Sequence, residues 1–146
     1  MKKLIAILPL LVLCFYSHSQ ILTPVKWSYA SKKINKNEAV LFVKADIDKG
    51  WHIYSQQDKG PVKTSIKFTK DNSYLPVGKT IEPTPVSKYE PLLSQTLQYF
   101  EQSVVFQQKI KLKQSQVLVK GSLHFIVCND KHCLPPEDVN FNISIK

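Results

Sequence analysis

Hydrophobic and polar residues alternate along much of this chain with a period of two. Successive side chains of a β-strand point to opposite faces, so this pattern predicts strands that are buried on one face and solvated on the other. The clearest such segments are EAVLFVKADI (38–47), SVVFQQKIKL (103–112), VLVKGSLHFIV (117–127) and VNFNISI (139–145). Shorter candidates are KWSYAS, WHIYSQ and SIKFT. No segment has the 3.6-residue period of an amphipathic helix.

Clusters of turn-forming residues separate these segments, and they are DKG (48–50), DKGP (58–61), DNS (71–73) and EPTP (82–85). About seven to nine short strands with turns between them are typical of an all-β fold. We therefore predict a two-layer, immunoglobulin-like antiparallel β-sandwich. We expect the stretch 76–95, rich in Pro, Ser and Tyr, to be one long irregular loop. Loops of that length are uncommon unless they have a function.

Residues 1–19 have the features of a secretory signal peptide. Lys2 and Lys3 precede the apolar run LIAILPLLVLCFY, which is too short to span a bilayer comfortably. The small residues Ser17 and Ser19 follow this run. We expect cleavage after Ser19 and export of the mature protein, to the periplasm or to another exported location.

The mature protein is then residues 20–146, a single β-sandwich domain. An uncleaved membrane anchor and lipid attachment at Cys14 are the alternatives. A lipoprotein signal normally has a small residue before its cysteine, whereas a leucine stands there in this chain, so lipidation is not expected. No later segment is long and apolar enough to span a bilayer, so we expect membrane association only through a partner.

The chain carries a formal net charge of +9, from 20 basic and 11 acidic residues, and every basic residue is a lysine. Arginine is the usual residue for bidentate contacts to phosphate and guanine. Nucleic-acid binding therefore has little support. The charge instead indicates a solvated lysine surface, or weak attraction to acidic partners and anionic membranes.

Cleavage of the signal would remove Cys14 and leave Cys128 and Cys133. These two flank the four-residue loop NDKH, between the strand that ends at Val127 and the strand that begins at Val139. An exported chain with an even number of cysteines is in a compartment where disulfides persist. Residues that face each other across a tight antiparallel turn have Cα atoms about 4.5–5.5 Å apart. That separation suits a disulfide, so the pair can close.

Three interpretations of the pair stay open at this point. A ring of about six residues contributes only about 2 kcal/mol to stability, which is little for a structural disulfide. A small, exposed ring suits a reversible redox bond, because a partner can reach the sulfurs. A metal site is the third possibility, with Cys128, His132 and Cys133 as ligands and His124 or His52 as a fourth. That spacing differs from the paired C-x2-C motifs of structural zinc sites.

The segment CNDKHCLPPEDVNF (128–141) resembles the cysteine motif of the N-terminal periplasmic domain of DsbD-type thiol:disulfide interchange proteins. In that family a cysteine pair lies in a short hairpin and is followed by an aromatic residue or leucine and then by Pro-Pro. Cys128, Cys133, Leu134, Pro135 and Pro136 match this pattern. The segment GWHIYSQQDKGPVKTSIKF (50–68) is similar to the family's aromatic strand beside the cysteines, and YFEQSVVFQQKI (99–110) is a weaker match.

The resemblance implies a protein-disulfide reductase component that works through a Cys128/Cys133 redox pair, without a cofactor or a metal. It would take reducing equivalents from a thioredoxin-like donor, supplied by a separate membrane electron carrier, and pass them to oxidised periplasmic proteins. The best-known members continue into a membrane domain and a thioredoxin domain, so we expect the donor here to be a separate protein. They also have one more residue between the cysteines.

The resemblance also implies side chains that shield the disulfide. Tyr54 would cover it from the aromatic strand, and Leu134 and Pro135 would support it from the cysteine motif. The segment Ser87–Gln95 would form a mobile cap over the disulfide, with Tyr89, Leu92 or Leu93 as the covering side chain. The alternatives are a non-catalytic binding module with a permanent disulfide and a periplasmic metal-binding protein.

The two cysteines are expected to differ in role. Cys128 follows a strand that the sheet should hold in place, whereas Cys133 precedes Pro135 and Pro136, which lack backbone N–H groups and cannot extend a regular ladder. We therefore expect Cys133 to be the exchanging cysteine and Cys128 to be the resolving one. The resemblance assigns the same roles.

Overall fold

A computed structural model describes residues 22–58, 62–90 and 94–146 of the protein. These ranges contain eleven strands and no helix. In chain order the strands are β1 (Val25–Asn35), β2 (Glu38–Ile47), β3 (His52–Tyr54), β4 (Ser65–Phe68), β5 (Tyr74–Ile81), β6 (Val86–Glu90), β7 (Gln95–Glu101), β8 (Ser103–Leu112), β9 (Val117–Phe125), β10 (Val127–Cys128) and β11 (Glu137–Ile145). The predicted signal peptide (1–19), Leu92 and Leu93 lie outside the described residues. Within those residues, no helix long and apolar enough to cross a bilayer occurs.

All strand pairs are antiparallel, which confirms the predicted all-β fold. Sheet I has the order β1-β2-β8-β5, sheet II has the order β11-β9-β4, and sheet III has the order β10-β3-β7-β6. The four strongest predicted strands correspond to β2, β8, β9 with β10, and β11. Their alternate side chains enter one main hydrophobic core.

One polar side chain interrupts the buried face of β8, as the sequence pattern indicated. Gln108 is buried, and its amide donates hydrogen bonds to the Val77 and Lys109 carbonyls and accepts one from the Thr80 hydroxyl. Those contacts lie beside an irregularity in the β5–β8 pairing, where Gly78 has a positive φ of 71°. The amide is therefore satisfied by backbone and hydroxyl groups beside the irregular part of the pairing.

The stretch 76–95, predicted to be one irregular loop, is different in the structure. It contains most of β5 and all of β6, which are the edge strands of sheets I and III. An edge strand needs hydrogen bonds on one side only, so it tolerates Pro76 and lacks a fully buried face. These two strands therefore show no clear alternation in the sequence, and they contribute to the excess of strands over the predicted seven to nine.

The predicted strand 117–127 changes sheets near its end. β9 pairs with β11 and β4 in sheet II as far as Phe125, and β10 then pairs with β3 in sheet III. Ile126 lies between the two strands and packs against a second, smaller cluster. This transfer brings Cys128 next to the aromatic residues of β3.

The centre of β9 depends on the absence of a side chain at Gly121, and replacing it with alanine tests this. A Cβ at Gly121 would lie 2.3 Å from Cζ of Phe141 and 2.7 Å from the backbone oxygen of Lys67. Alanine normally suits a strand better than glycine, but here the clash dominates, since the Lys67 oxygen belongs to the neighbouring strand. We expect Gly121→Ala to lower the free energy of unfolding by about 1–3 kcal/mol in urea titrations.

A matched control is Leu118→Ala on the same strand, where the side chain is 48% exposed. This change should alter the free energy of unfolding by no more than about 0.5 kcal/mol. Equal stability of Gly121→Ala and the unchanged protein would contradict the close packing described here.

Candidate functional site

Cys128 and Cys133 form a disulfide across a tight hairpin. They face each other as an antiparallel bridge, as predicted from the four-residue loop, with Cα atoms 3.9 Å apart. The flanking backbone hydrogen bonds run from Asn129 N–H to the His132 carbonyl and from Leu134 N–H to the Val127 carbonyl, each at 2.9 Å. The cysteines therefore occupy a non-hydrogen-bonded pair, in which cross-strand side chains come closest.

Asn129 fixes the turn between the cysteines. Its side-chain oxygen accepts hydrogen bonds from the backbone N–H groups of Lys131 and His132, both at 2.9 Å. Asparagine favours turns because it can satisfy nearby backbone donors in this way. The hairpin thus has a defined shape although it is exposed.

The two cysteines differ sharply in exposure. Cys128 is 1% exposed, whereas Cys133 is exposed at the rim. Cys128 belongs to a small cluster on sheet III, with Tyr54, Val62, Leu97 and Tyr99, against which Ile126 packs. A reagent from solvent therefore has access to Cys133 and not to Cys128.

β3 lines the buried side of the disulfide. His52 is the cross-strand partner of Cys128, and its Nε2 lies 3.3 Å from the Tyr54 hydroxyl. The His52 ring also contacts the Tyr99 ring, with centroids 4.8 Å apart. Tyr54 is buried in the same cluster as Cys128.

The sequence interpretation named His52 only as a possible metal ligand and did not include Tyr99. A signal for His52 existed, because a period of two places it on the same face as Tyr54. Tyr99 reaches the cluster only through the pairing of β3 with β7, in which it lies opposite Tyr54. Pairing between strands distant in sequence is not visible from periodicity.

The residues after Cys133 anchor the exposed arm of the hairpin. Leu134 is half-buried and packs against the main core. Pro135 and Pro136 are exposed, and β11 begins directly after them at Glu137. On the other side of the hairpin, the Trp51 ring contacts the His132 ring edge-on, with centroids 5.5 Å apart. Leu134 therefore has a supporting position, and Pro135 marks the end of the pairing.

The expected cap segment reaches the hairpin through Lys88. Its Nζ lies 3.2 Å from Oδ1 of Asp130 at the tip of the cysteine turn. Lys88 pairs with Leu97, a member of the cluster that surrounds Cys128. Tyr89 pairs instead with Thr96 and is 58% exposed, so strand alternation places it on the opposite face of sheet III from Cys128. The structure does not bring Tyr89 over the disulfide.

A carboxylate joins the end of β3 to the segment that leads into β6. Glu82 accepts hydrogen bonds from the Ser55 hydroxyl and from the backbone N–H of Gln56, the latter at 3.0 Å. Asp58 is also buried, and its carboxylate accepts a hydrogen bond from the backbone N–H of Gln98 at 2.8 Å. These contacts hold β6 and β7 beside the aromatic strand, which fixes where the cap segment starts.

The proposed metal ligands do not converge. His124 lies 3.0 Å from Asp138 on the neighbouring strand of sheet II, whereas His52 is buried on sheet III. In the part of the chain that the structure describes, no three His, Cys, Asp or Glu side chains lie close enough to hold a metal ion.

Three solved structures share this fold. The N-terminal periplasmic domain of ScsB from Proteus mirabilis matches with a TM-score of 0.61 and 18% identity, over 84% of this chain and 48% of the other. This chain thus spans about half of that one. The reduced N-terminal domain of DsbD from Neisseria meningitidis matches with a TM-score of 0.52 and 17% identity, over 80% of this chain and 83% of the other.

The third structure is the complex between the DsbD N-terminal and PilB N-terminal domains from Neisseria meningitidis, with a TM-score of 0.55 and 15% identity, over 84% of this chain and 86% of the other. At such identities these likenesses show the immunoglobulin-like fold. No curated protein sequence matches the chain.

The family model for the N-terminal region of the thiol:disulfide interchange protein DsbD matches residues 19–145, which include all eleven strands and the cysteine hairpin. The chain therefore belongs to the DsbD N-terminal domain family.

Proposed function

We propose that this protein is an exported thiol:disulfide exchange domain whose Cys128 and Cys133 alternate between a disulfide and a dithiol. The observation that carries the proposal is the asymmetric bond, in which an exposed Cys133 is joined to a buried Cys128 within a six-residue ring. Family membership supports the same chemistry. The partner proteins and the direction of transfer are part of the proposal.

Reduction of the domain begins when a donor thiolate attacks Sγ of Cys133. The Cys128–Cys133 bond breaks, a mixed disulfide forms between the donor and Cys133, and Cys128 leaves as a thiolate. A second donor thiolate then attacks the donor sulfur of the mixed disulfide. Cys133 leaves as a thiolate, and the donor ends as a disulfide. Two electrons have passed to the domain.

The reduced domain transfers the same two electrons onward. The Cys133 thiolate attacks a disulfide in an oxidised target protein and releases one target thiolate. Cys128 then attacks Cys133, which re-forms the internal disulfide and releases the second target thiol. Cys133 takes part in the steps with other proteins because it is the exposed cysteine. Cys128 resolves the mixed disulfide because it lies next to Cys133.

His52 is in a position to assist the buried cysteine. Directly opposed cross-strand residues have Cβ atoms about 4.5–5.5 Å apart, and His52 is opposite Cys128 in the β3–β10 ladder. An imidazole N–H that donates a hydrogen bond to a thiolate favours the anion as leaving group. His52 would therefore stabilise the anion that forms when the disulfide opens.

The donor would be a thioredoxin-like protein, supplied with electrons by a separate membrane carrier, and the targets would be oxidised periplasmic proteins. The solved complex of a DsbD N-terminal domain with a PilB N-terminal domain supports a protein partner for this fold. Export through the predicted signal peptide at 1–19 would place the domain where such targets occur. The structurally similar ScsB domain is periplasmic.

In this proposal an ion pair, which we call the latch, holds the expected cap segment against the cysteine hairpin. Lys88 on β6 and Asp130 on the hairpin tip form the ion pair between the two parts, and both side chains are largely exposed. Exposed ion pairs contribute little, about 0.2–1 kcal/mol, so a docking partner can break this one readily.

The roles of the cysteines are tested with single-cysteine variants. In each variant the remaining thiol is converted to a mixed disulfide with thionitrobenzoate and mixed with a thioredoxin that retains only its nucleophilic cysteine. The Cys128→Ala protein should form a covalent complex on a non-reducing gel, because its exposed Cys133 is attacked and nothing resolves the product. The Cys133→Ala protein should form little or none.

As a control, both variants are unfolded in urea, where the two thiols should react equally. Trapping only by Cys133→Ala in the folded state would reverse the assignment. Trapping by neither variant would favour a permanent disulfide in a non-catalytic binding module.

The disulfide is expected to contribute little to folding. Closing a ring of about six residues limits the unfolded chain only slightly, so reduction should lower the free energy of unfolding by about 2 kcal/mol. Urea titrations with and without a phosphine reductant measure this difference. The Cys128→Ala/Cys133→Ala double variant should not respond to the reductant. Unfolding of the reduced protein in buffer alone would instead identify a structural disulfide.

The latch is tested by removing either end of the ion pair. Lys88→Met and Asp130→Asn should each speed reduction of the disulfide by dithiothreitol about two- to five-fold, which corresponds to the loss of an exposed ion pair. Reduction is followed by quenching with an alkylating reagent and measuring the mass.

Two variants are needed because the attacking form of dithiothreitol is an anion, so a change in protein charge could by itself alter the reduction rate. If charge alone acted, Lys88→Met would slow the reaction and Asp130→Asn would speed it. Faster reduction of the disulfide in both variants would identify loss of the ion pair as the cause. Lys67→Met, an exposed lysine on β4, is the matched control and should leave the rate unchanged.

A further inference from the structure

A cleft with a basic lining lies at the end of the sandwich opposite the disulfide. The β1–β2 turn and the β8–β9 loop meet there, where the Leu112 N–H donates to the Asn37 carbonyl at 2.7 Å. Lys33 reaches across and donates to the Ser115 carbonyl at 3.2 Å. The cleft has a volume of about 420 Å³, and Lys33, Lys36 and Lys113 line it. None of its described lining residues is acidic.

Further lysines surround this cleft. Lys32 lies on β1 just before it, Lys111 pairs with Glu38 at the start of β2, and Lys146 follows the last residue of β11. Two acids adjoin this end. Asp71 accepts hydrogen bonds from Ser73, whose carbonyl accepts from the Lys113 N–H at 2.9 Å, and Glu38 is engaged with the Lys109 ammonium group at 2.8 Å and with the Asn35 amide at 3.0 Å. The hydrogen bonds from Lys109 and Asn35 lower the pKa of Glu38, so it neutralises Lys109 and not the cleft.

Acidic residues concentrate at the other end of the sandwich. Asp46 pairs with the first residue of β8, Glu101 pairs with His52, and Glu137 pairs with the last residue of β9. Asp130 and Asp138 lie on the cysteine hairpin and just beyond it. These acids offset lysines of the same end, as in the pairs Lys44–Asp46 at 2.7 Å and Lys88–Asp130 at 3.2 Å.

An apolar side chain projects from the basic end. The β1–β2 register shifts between Lys33 and Asn35, so Ile34 has no partner in the ladder. A bulge of this kind turns its unpaired residue away from the regular faces of the sheet. Ile34 is 52% exposed; it follows Lys33 directly, and Lys36 lies two residues further on. Ile34 therefore adds an exposed apolar side chain to the lysine-rich surface at this end.

We propose that this end binds the surface of an anionic lipid bilayer. Ile34 inserts at the level of the lipid headgroups, and Lys33, Lys36 and Lys113 contact lipid phosphates. Lysine suits this role because its long apolar stem can lie in the interface while its ammonium group remains hydrated. The dense negative charge of such a surface attracts clustered lysines, although each contact is weak.

Membrane binding in this orientation would leave the disulfide free. β2 runs from the basic end towards the cysteine end, and its ten residues span about 30 Å at about 3.3 Å per residue. The cysteine hairpin would then point away from the bilayer, where a soluble partner can reach Cys133. The proposal does not depend on the redox chemistry.

Sedimentation with lipid vesicles tests the proposal. The protein should bind mixed vesicles of phosphatidylcholine and phosphatidylglycerol and should not bind pure phosphatidylcholine vesicles. Lys33→Gln/Lys36→Gln/Lys113→Gln should weaken binding at least about tenfold. Ile34→Ser should weaken it about threefold or more without any change in charge.

The matched control carries the same loss of charge elsewhere, as Lys26→Gln/Lys49→Gln/Lys67→Gln, and should bind within about twofold of the unchanged protein. All variants have the same residues before position 22, so differences in vesicle binding between them arise from the substitutions. Circular dichroism establishes that each variant is folded.

Several results would overturn the proposal. They are equal weakening by the two triple variants, unchanged binding of Ile34→Ser, or equal binding to pure phosphatidylcholine vesicles. Inorganic phosphate and chloride are compared at equal ionic strength. If phosphate displaces the protein from vesicles more than chloride does, the basic end is a site for free anions instead. Binding to polyglutamate but not to vesicles would indicate an acidic protein partner.

Discussion

The position of the redox pair depends on the transfer of one strand between sheets. β9 ends at Phe125 in sheet II, and Val127 and Cys128 then pair with β3 in sheet III. Alternation along β10 places Val127 in the main core and Cys128 in the second cluster. The main core thus fixes the buried sulfur through the residue next to it. A small shift at Ile126 would move Cys128 away from the aromatic side chains of β3.

Sheet III can hold the cysteine in this way because its inner strands, β3 and β7, bury side chains on both faces. Ile53 and Phe100 point into the main core, while Tyr54 and Tyr99 lie on the opposite face with Cys128. Regular pairing then ends with the hairpin, where the prolines lack the N–H groups needed to continue it. The same backbone therefore buries one sulfur and exposes the other. The difference in access between the two sulfurs follows from this geometry.

The sequence was informative where a strand has one buried and one solvated face. β2, β8 and β11 follow the predicted alternation, and the turn NDKH placed the two cysteines opposite each other. β5 and β6 were missed because edge strands have no face that must be apolar throughout. Neither Lys88 nor Tyr99 could be assigned to the site, because each reaches it by pairing of strands far apart in sequence. Tyr89 and Lys88 lie on opposite faces of sheet III, since a step of one residue along a strand reverses the face.

Charge and chemistry are separated along the length of the sandwich. The long strands of sheets I and II run the full distance between the lysine cleft and the cysteine hairpin, so the fold holds the two ends apart as a rigid spacer. Electrostatic forces between exposed groups fall off within about 8–10 Å at physiological salt. Lysines at the basic end therefore have little effect on the thiolates at the other end, about 30 Å away along the strands. The groups near enough to influence the disulfide are local ones, such as His52 and the Lys88–Asp130 pair, and changes in the lysine surface should leave its reactivity unaltered.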